Sequence, residues 1–132
     1  MLEIKKYKFY FCPCTQDLYG DEVLQHVAEH SAEVVAALNA SDKVPFEVVL
    51  KPNLLTADVI QATFNEANND PECAGIITWA HTFSPSKNYI AGLTDLRKPL
   101  CQFATQYNEE IPYDTIDMDF MNLNQAAHGD RE

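Results

Sequence analysis

Only nine lysines and arginines stand against 20 acidic residues in this chain of 132, a formal net charge of −11. The shortage of positive charge argues against nucleic acid or an anionic membrane as a partner, because phosphates repel such a surface and release few counterions to it. No apolar run approaches the roughly 20 residues needed to span a bilayer. The N-terminal MLEIKKYKFYFC lacks a long hydrophobic region with a small-residue cleavage site, which reads as cytoplasmic. Glycine is scarce, and neither G-x-G-x-x-G nor G-x-x-x-x-G-K occurs, so cradling of nucleotide phosphates by backbone amides has little support. There is no serine nucleophile elbow, no reactive-cysteine signature, no repeat and no linker. What is left is one globular domain, 46% hydrophobic, with mass for a single core.

Cys12, Cys14, Cys73 and Cys101 each lie in or beside an apolar, strand-like run and read as reduced core thiols. C-P-C is neither C-x-x-C nor a structural zinc spacing.

Residues 6–14, rich in aromatics, form a near-continuous apolar run that suits a strand covered on both faces. From Asp21, the residues Leu24, Val27, Ala28, Val34, Val35 and Leu38 recur at helical spacing, with Asn39 and Ser41 ending the helix. Residues 45–50 read as a second strand. Thr56 caps a helix over 57–68 that turns Ile60, Phe64 and Ala67 to one side. Residues 73–79 form a third strand, and Ser84 with Pro85 starts a helix lined by Tyr89, Ile90 and Leu93. A fourth strand covers 99–105, an acidic irregular loop 108–117, and Asp119 caps a last helix through Phe120, Met121 and Leu123 to about Ala127. Four alternations of strand and helix predict an α/β, three-layer, flavodoxin- or Rossmann-like domain with a parallel sheet in order 2-1-3-4. The turns 15–20 and 81–84 would then face each other at the topological switch point, where ligands bind in such sheets.

Several motifs have two readings. His26-Val27-Ala28-Glu29-His30 matches the H-x-x-E-H pattern of a zinc peptidase family, but its face reads as the solvated side of the helix and no third ligand is indicated. Gln16, Asp17 and Tyr19 after the first strand suit sugar hydroxyls better than phosphate, and they also suit ordinary turn chemistry. His81 reads as a hydrogen-bonded loop residue, and Asp117 and Asp119 as helix caps.

TQDLYG at 15–20, WAHTFSPSK at 79–87, KPL at 98–100, TQYN at 105–108 and IDMDFMNLNQAAHGDRE at 116–132 fall in order along the chain. Together they resemble the N-terminal domain of bacterial L-arabinose isomerase over essentially the whole length. The resemblance implies a parent enzyme that interconverts L-arabinose and L-ribulose with a divalent metal, usually Mn2+. It also implies that the metal ligands and catalytic glutamates come after this stretch. On the family pattern Gln16, Leu18, Tyr19, Phe83, Gln125 and His128 form part of the sugar-binding wall, presented to a neighbouring subunit of a ring-like oligomer. The turn departs from the family's usual form, with Pro13-Cys14 preceding it and Asp17 where the family carries a histidine.

The expectation is therefore residues 1–132 as the N-terminal α/β domain, with the catalytic and C-terminal domains absent. It would bind pentose in the parent context, contact neighbouring subunits or self-associate, and be inactive alone with no catalytic or metal residue of its own. The alternative is a stand-alone, non-catalytic sugar-binding or protein-interaction module. A phosphate-accepting receiver is disfavoured, since no acidic cluster follows the first strand.

Overall fold

β1 (Lys8–Cys14) lies at the centre of a four-stranded, wholly parallel sheet, flanked by β2 (Glu47–Leu50) and β3 (Cys73–Ala80), with β4 (Leu100–Phe103) outside β3. The computed structural model describes residues 6–82 and 86–124. The order β2-β1-β3-β4 is the one expected from the sequence. Register is continuous from Phe9↔Gly75 to Cys14↔Ala80.

Both faces of β1 are covered, which is why its apolar run does not alternate with polar residues. On one face Phe11 packs with Trp79, Val48 and Val35 of α1 (Asp21–Ala40). On the other, Tyr10, Cys12 and Cys14 pack with Ile60, Phe64 and Ala67 of α2 (Ala57–Asn69). Each large side chain buried this way contributes on the order of 1.5–3 kcal/mol.

Side-chain bonds join helices to strands. Asn39 donates from Nδ2 to the Val48 carbonyl and accepts from its amide, both at 2.8 Å, so a residue read as a helix stop also satisfies the edge of β2. Thr56 caps α2 as expected, accepting from the Val59 amide. At the opposite end of the sheet, the Tyr10 hydroxyl donates to Asp70 at 2.6 Å and Lys8 pairs with the same carboxylate at 3.2 Å. With the Tyr10 bond as the main cause, the Asp70 carboxyl is held down at about 2.

The later chain differs from expectation in particulars. The third helix opens as a 3₁₀ turn, Ser86–Tyr89, before α3 (Ile90–Asp95). Its three residues per turn break the single stripe, so Tyr89 is buried while Ile90 and Leu93 are 64% and 42% exposed. Gly92 takes the buried position instead; a Cβ there would meet Ile60 and Phe64 at 3.0 Å. The Ser84–Pro85 helix start lies outside the described residues. In α4 (Met118–Leu123) the cap is Asp117, whose Oδ1 accepts from the Phe120 amide at 2.8 Å, and Asp119 falls in the first turn. Cys12, Cys14 and Cys73 are buried, but Cys101 is exposed because β4 is an edge strand. Among the described residues, no helix is long and apolar enough to cross a membrane.

Gly75 marks the closest approach of β3 to the chain entering β4: a Cβ there would lie 2.9 Å from the Pro99 carbonyl oxygen, which itself accepts from the Ile76 amide. Gly75→Ala should therefore destabilise the fold by about 1–3 kcal/mol, read from urea denaturation, because the atom that must move is backbone.

Candidate functional site

Because Cys14 and Ala80 are paired, the chain leaves β1 and β3 at the same level, and the two turns beyond them meet. Thr15 Oγ1 and Thr82 Oγ1 lie 2.6 Å apart, both buried, one donating to the other. The expected meeting of turns at the switch point is thus made by a hydroxyl–hydroxyl bond. After Thr15, Gln16 is extended, Asp17–Tyr19 forms one 3₁₀ turn, and the Gly20 amide closes it on the Asp17 carbonyl. Gly20 has φ of 83°, a conformation that favours glycine, and it lets α1 begin immediately afterwards. Gln16 Nε2 donates to the Tyr19 hydroxyl at 3.3 Å. Leu18 is 73% exposed at the tip.

Below this turn is a stack of rings. His81 is 1% exposed, lies flat on Trp79 (centroids 4.4 Å, 7°) and meets Nδ1 of His30 through its Nε2 at 2.7 Å. His30 is stacked on Tyr107 (3.6 Å, 5°), and the Tyr107 hydroxyl donates to Glu33 at 2.6 Å. A bond between two imidazoles requires one nitrogen to donate and the other to accept, so each ring can be neutral. Burial is the main cause that lowers both: His81 falls to about 3, with the neighbouring His30 adding to the effect, and His30 falls below its usual value.

The ring stack corrects the reading of the H-x-x-E-H segment. His26 and His30 are half-buried rather than on the solvated side, and the Nδ1 of His30 is engaged by His81. The signal was present in the sequence: residue 30 falls three after Val27 and four before Val34, on the flank of the apolar stripe. Nothing local to Tyr107 announces its place in the stack; only the return of the chain after β4 puts it there. Among the described residues there is no group of three or more His, Cys, Asp or Glu placed to hold a metal ion.

Of the six residues expected to line the sugar wall, Gln16, Leu18 and Tyr19 share the turn at the crevice, while Phe83, Gln125 and His128 lie outside the described residues. The chemistry on show is neutral hydrogen-bonding groups and ring faces, apart from the carboxylates of Asp17 in the turn and of Glu33 behind Tyr107. Cys12, a buried thiol of β1, is held protonated by burial.

The chain matches the family model described as L-arabinose isomerase N-terminal domain over residues 3–132. It is 54% identical over 132 residues to the L-arabinose isomerase of Koribacter versatilis and 55% identical over 132 residues to that of Clostridium beijerinckii. It is 58% identical over 118 residues, 89% of its length, to that of Bifidobacterium animalis subsp. lactis. The first two matches take in all of this chain, yet it spans only 26%, 27% and 23% of the length of these three relatives.

The histidine pair predicts an acid-sensitive fold. Both imidazoles are depressed in the folded state, so the unfolded chain takes up protons first. Stability is then full above the ordinary histidine value of 6.5 and is lost as pH falls toward about 3. Stability from urea denaturation should fall steadily from pH 7 to pH 4.5, by at most about 1.4 kcal/mol per pH unit from the buried His81, with the more exposed and solvent-screened His30 adding less. His81→Leu should flatten the profile. This window lies above the one in which protonation of Asp70 contributes in the same direction.

Proposed function

Since this chain belongs to the L-arabinose isomerase N-terminal domain family, we propose that it is the substrate-wall and oligomer-assembly domain of an enzyme converting L-arabinose to L-ribulose. The observation that carries this reading is the crevice: a turn offering the amide of Gln16, the hydroxyl of Tyr19 and the exposed Leu18 is locked against the end of β3 at the switch point. Neutral donors and acceptors beside an apolar side chain suit a polyol, whose faces alternate hydroxyl and C–H.

In this reading Phe83, Gln125 and His128 complete the wall. The catalytic glutamates and the Mn2+ belong to the remainder of a full-length isomerase, where the metal would act as a Lewis acid on the substrate oxygens. The wall serves the active site of a neighbouring subunit, in the cytoplasm. An apolar groove of ≈ 350 Å3, lined in part by Phe9, Leu38, Val44, Ile77 and Cys101, supports the assembly role, since an open apolar face of a sheet layer invites cover.

The 132-residue chain assayed alone with manganese and L-arabinose should show no turnover. Titrated with L-arabinose, it should show a saturable change in Trp79 fluorescence in the millimolar range, because Trp79 lies against His81 beneath the crevice. Gln16→Ala should weaken that response several-fold, by the loss of about one hydrogen bond. Turnover by the isolated chain would overturn the non-catalytic assignment. A flat titration would leave a purely assembling module.

A further inference from the structure

Three short segments carry the residues assigned to the sugar wall, and a described residue immediately precedes each. Thr15 precedes Gln16, Thr82 precedes Phe83, and Asn124 precedes Gln125. These three anchors are connected to one another. Thr15 and Thr82 share their hydroxyl bond at 2.6 Å. His81, next to Thr82, is bonded to His30 at 2.7 Å, and His30 is stacked on Tyr107 at 3.6 Å. Asn108, next to Tyr107, donates its amide to Asn124 Oδ1 at 3.4 Å, and Asn124 in turn donates from Nδ2 to the Phe120 carbonyl of α4. The path crosses α1 only at His30. It runs along the C-terminal edge of the sheet, with His81 and both threonines buried.

We propose that His30, His81 and Tyr107 are positioning residues, a chain of polar and stacking contacts that fixes Thr15, Thr82 and Asn124, the described residues that precede the wall residues, relative to one another. The inference rests on the sugar-wall reading for its purpose, but the mechanical link can be tested without a ligand. None of the three residues need touch sugar. His81 is held by Trp79 of β3, His30 belongs to α1, and Tyr107, from the segment after β4, is tied to Glu33 of α1 through its hydroxyl. A shift of any one therefore moves the others, because a ring stack and a 2.7 Å bond leave little slack.

The groups that face the pair are His26, Glu29 and Glu33 from α1 and Tyr107 from the segment after β4. The imidazole–imidazole bond survives one added proton, since a charged ring still donates to a neutral one. It is lost with the second, when both facing nitrogens carry hydrogen. Acid thus acts on the link itself, which loss of packing alone would not reproduce.

The test is amide hydrogen exchange on the intact 132-residue chain, read at Thr15 and Gly20 in the first turn and at Asn108 and Asn124 at the far end. His30→Phe keeps a ring on Tyr107 and removes the bond to His81. It should speed exchange in both places by about tenfold, while Val48 and Ile60 in the body of the fold stay as they were. Tyr107→Phe, which keeps the stack and gives up only the Glu33 bond, should stay within about twofold. After correction for intrinsic rates, acid should loosen the same segments of the wild-type chain, and His30→Phe should flatten that dependence. Faster exchange confined to the immediate neighbours of residue 30, or an unchanged acid profile in His30→Phe, would overturn the proposal. If the segments loosen together but the wild-type chain gives no response to L-arabinose, the link stands and the sugar-wall reading falls. If the chain does respond, His30→Phe should weaken its pentose affinity several-fold, and equal affinity would count against positioning.

Discussion

β1 is buried on both faces and hydrogen-bonded on both sides, and that double enclosure governs where the helices and the crevice lie. A strand with no solvent face must alternate between two apolar layers. Tyr10, Cys12 and Cys14 turn toward α2, and Phe11 turns toward α1. With β2 on one side and β3 on the other, successive crossovers leave β1 in opposite directions. The gap above its carboxyl end is a geometric consequence of that order. The crevice is thus the place where two neighbouring strands release their chains to opposite faces.

At that place the domain holds buried polar groups, which costs stability unless each finds a partner. The partners come from distant parts of the chain: Thr15 with Thr82, His81 with His30, Trp79 Nε1 with the Thr105 carbonyl. Each bond adds little net stability, but breaking one strands its partner in a low-dielectric setting. Such networks favour one arrangement of the surrounding turns over its alternatives. A surface made of turns has need of that, since turns have no ladder of their own to hold them. The neutrality of the two histidines fits the same picture, because burial disfavours their charged forms.

Membership of the L-arabinose isomerase N-terminal domain family gives the crevice a chemical context that its geometry alone would not. An α/β layer with a polar turn at its switch point serves many ligands. The relatives are about four times as long as this stretch, so the reacting groups of such an enzyme have ample chain in which to reside outside it.

By itself the sequence determined the strand–helix alternation, the parallel order 2-1-3-4, the Thr56 cap, the core-facing stripes of α1 and α2 except for Ala28, which is exposed, and the turn that opens onto the crevice. These arise from short-range periodicity and from the few crossovers that such a pattern permits. The family blocks pointed to Gln16, Leu18 and Tyr19 of that turn as an expectation, together with Phe83, Gln125 and His128, which lie outside the described residues. What it left undecided lies where contacts span long separations or where one residue shifts a boundary. Leu93 lies at helical spacing from both Tyr89 and Ile90, yet a 3₁₀ turn and the close approach of Gly92 to α2 leave Ile90 and Leu93 exposed. Cys101 has an apolar setting in sequence and an exposed edge in space. Above all, the ring stack joins residues 30, 79, 81 and 107, which come from α1, β3 and the segments after β3 and β4. Only tertiary structure could decide it, because the preference of one imidazole for another depends on the burial and distance that the folded sheet imposes on both.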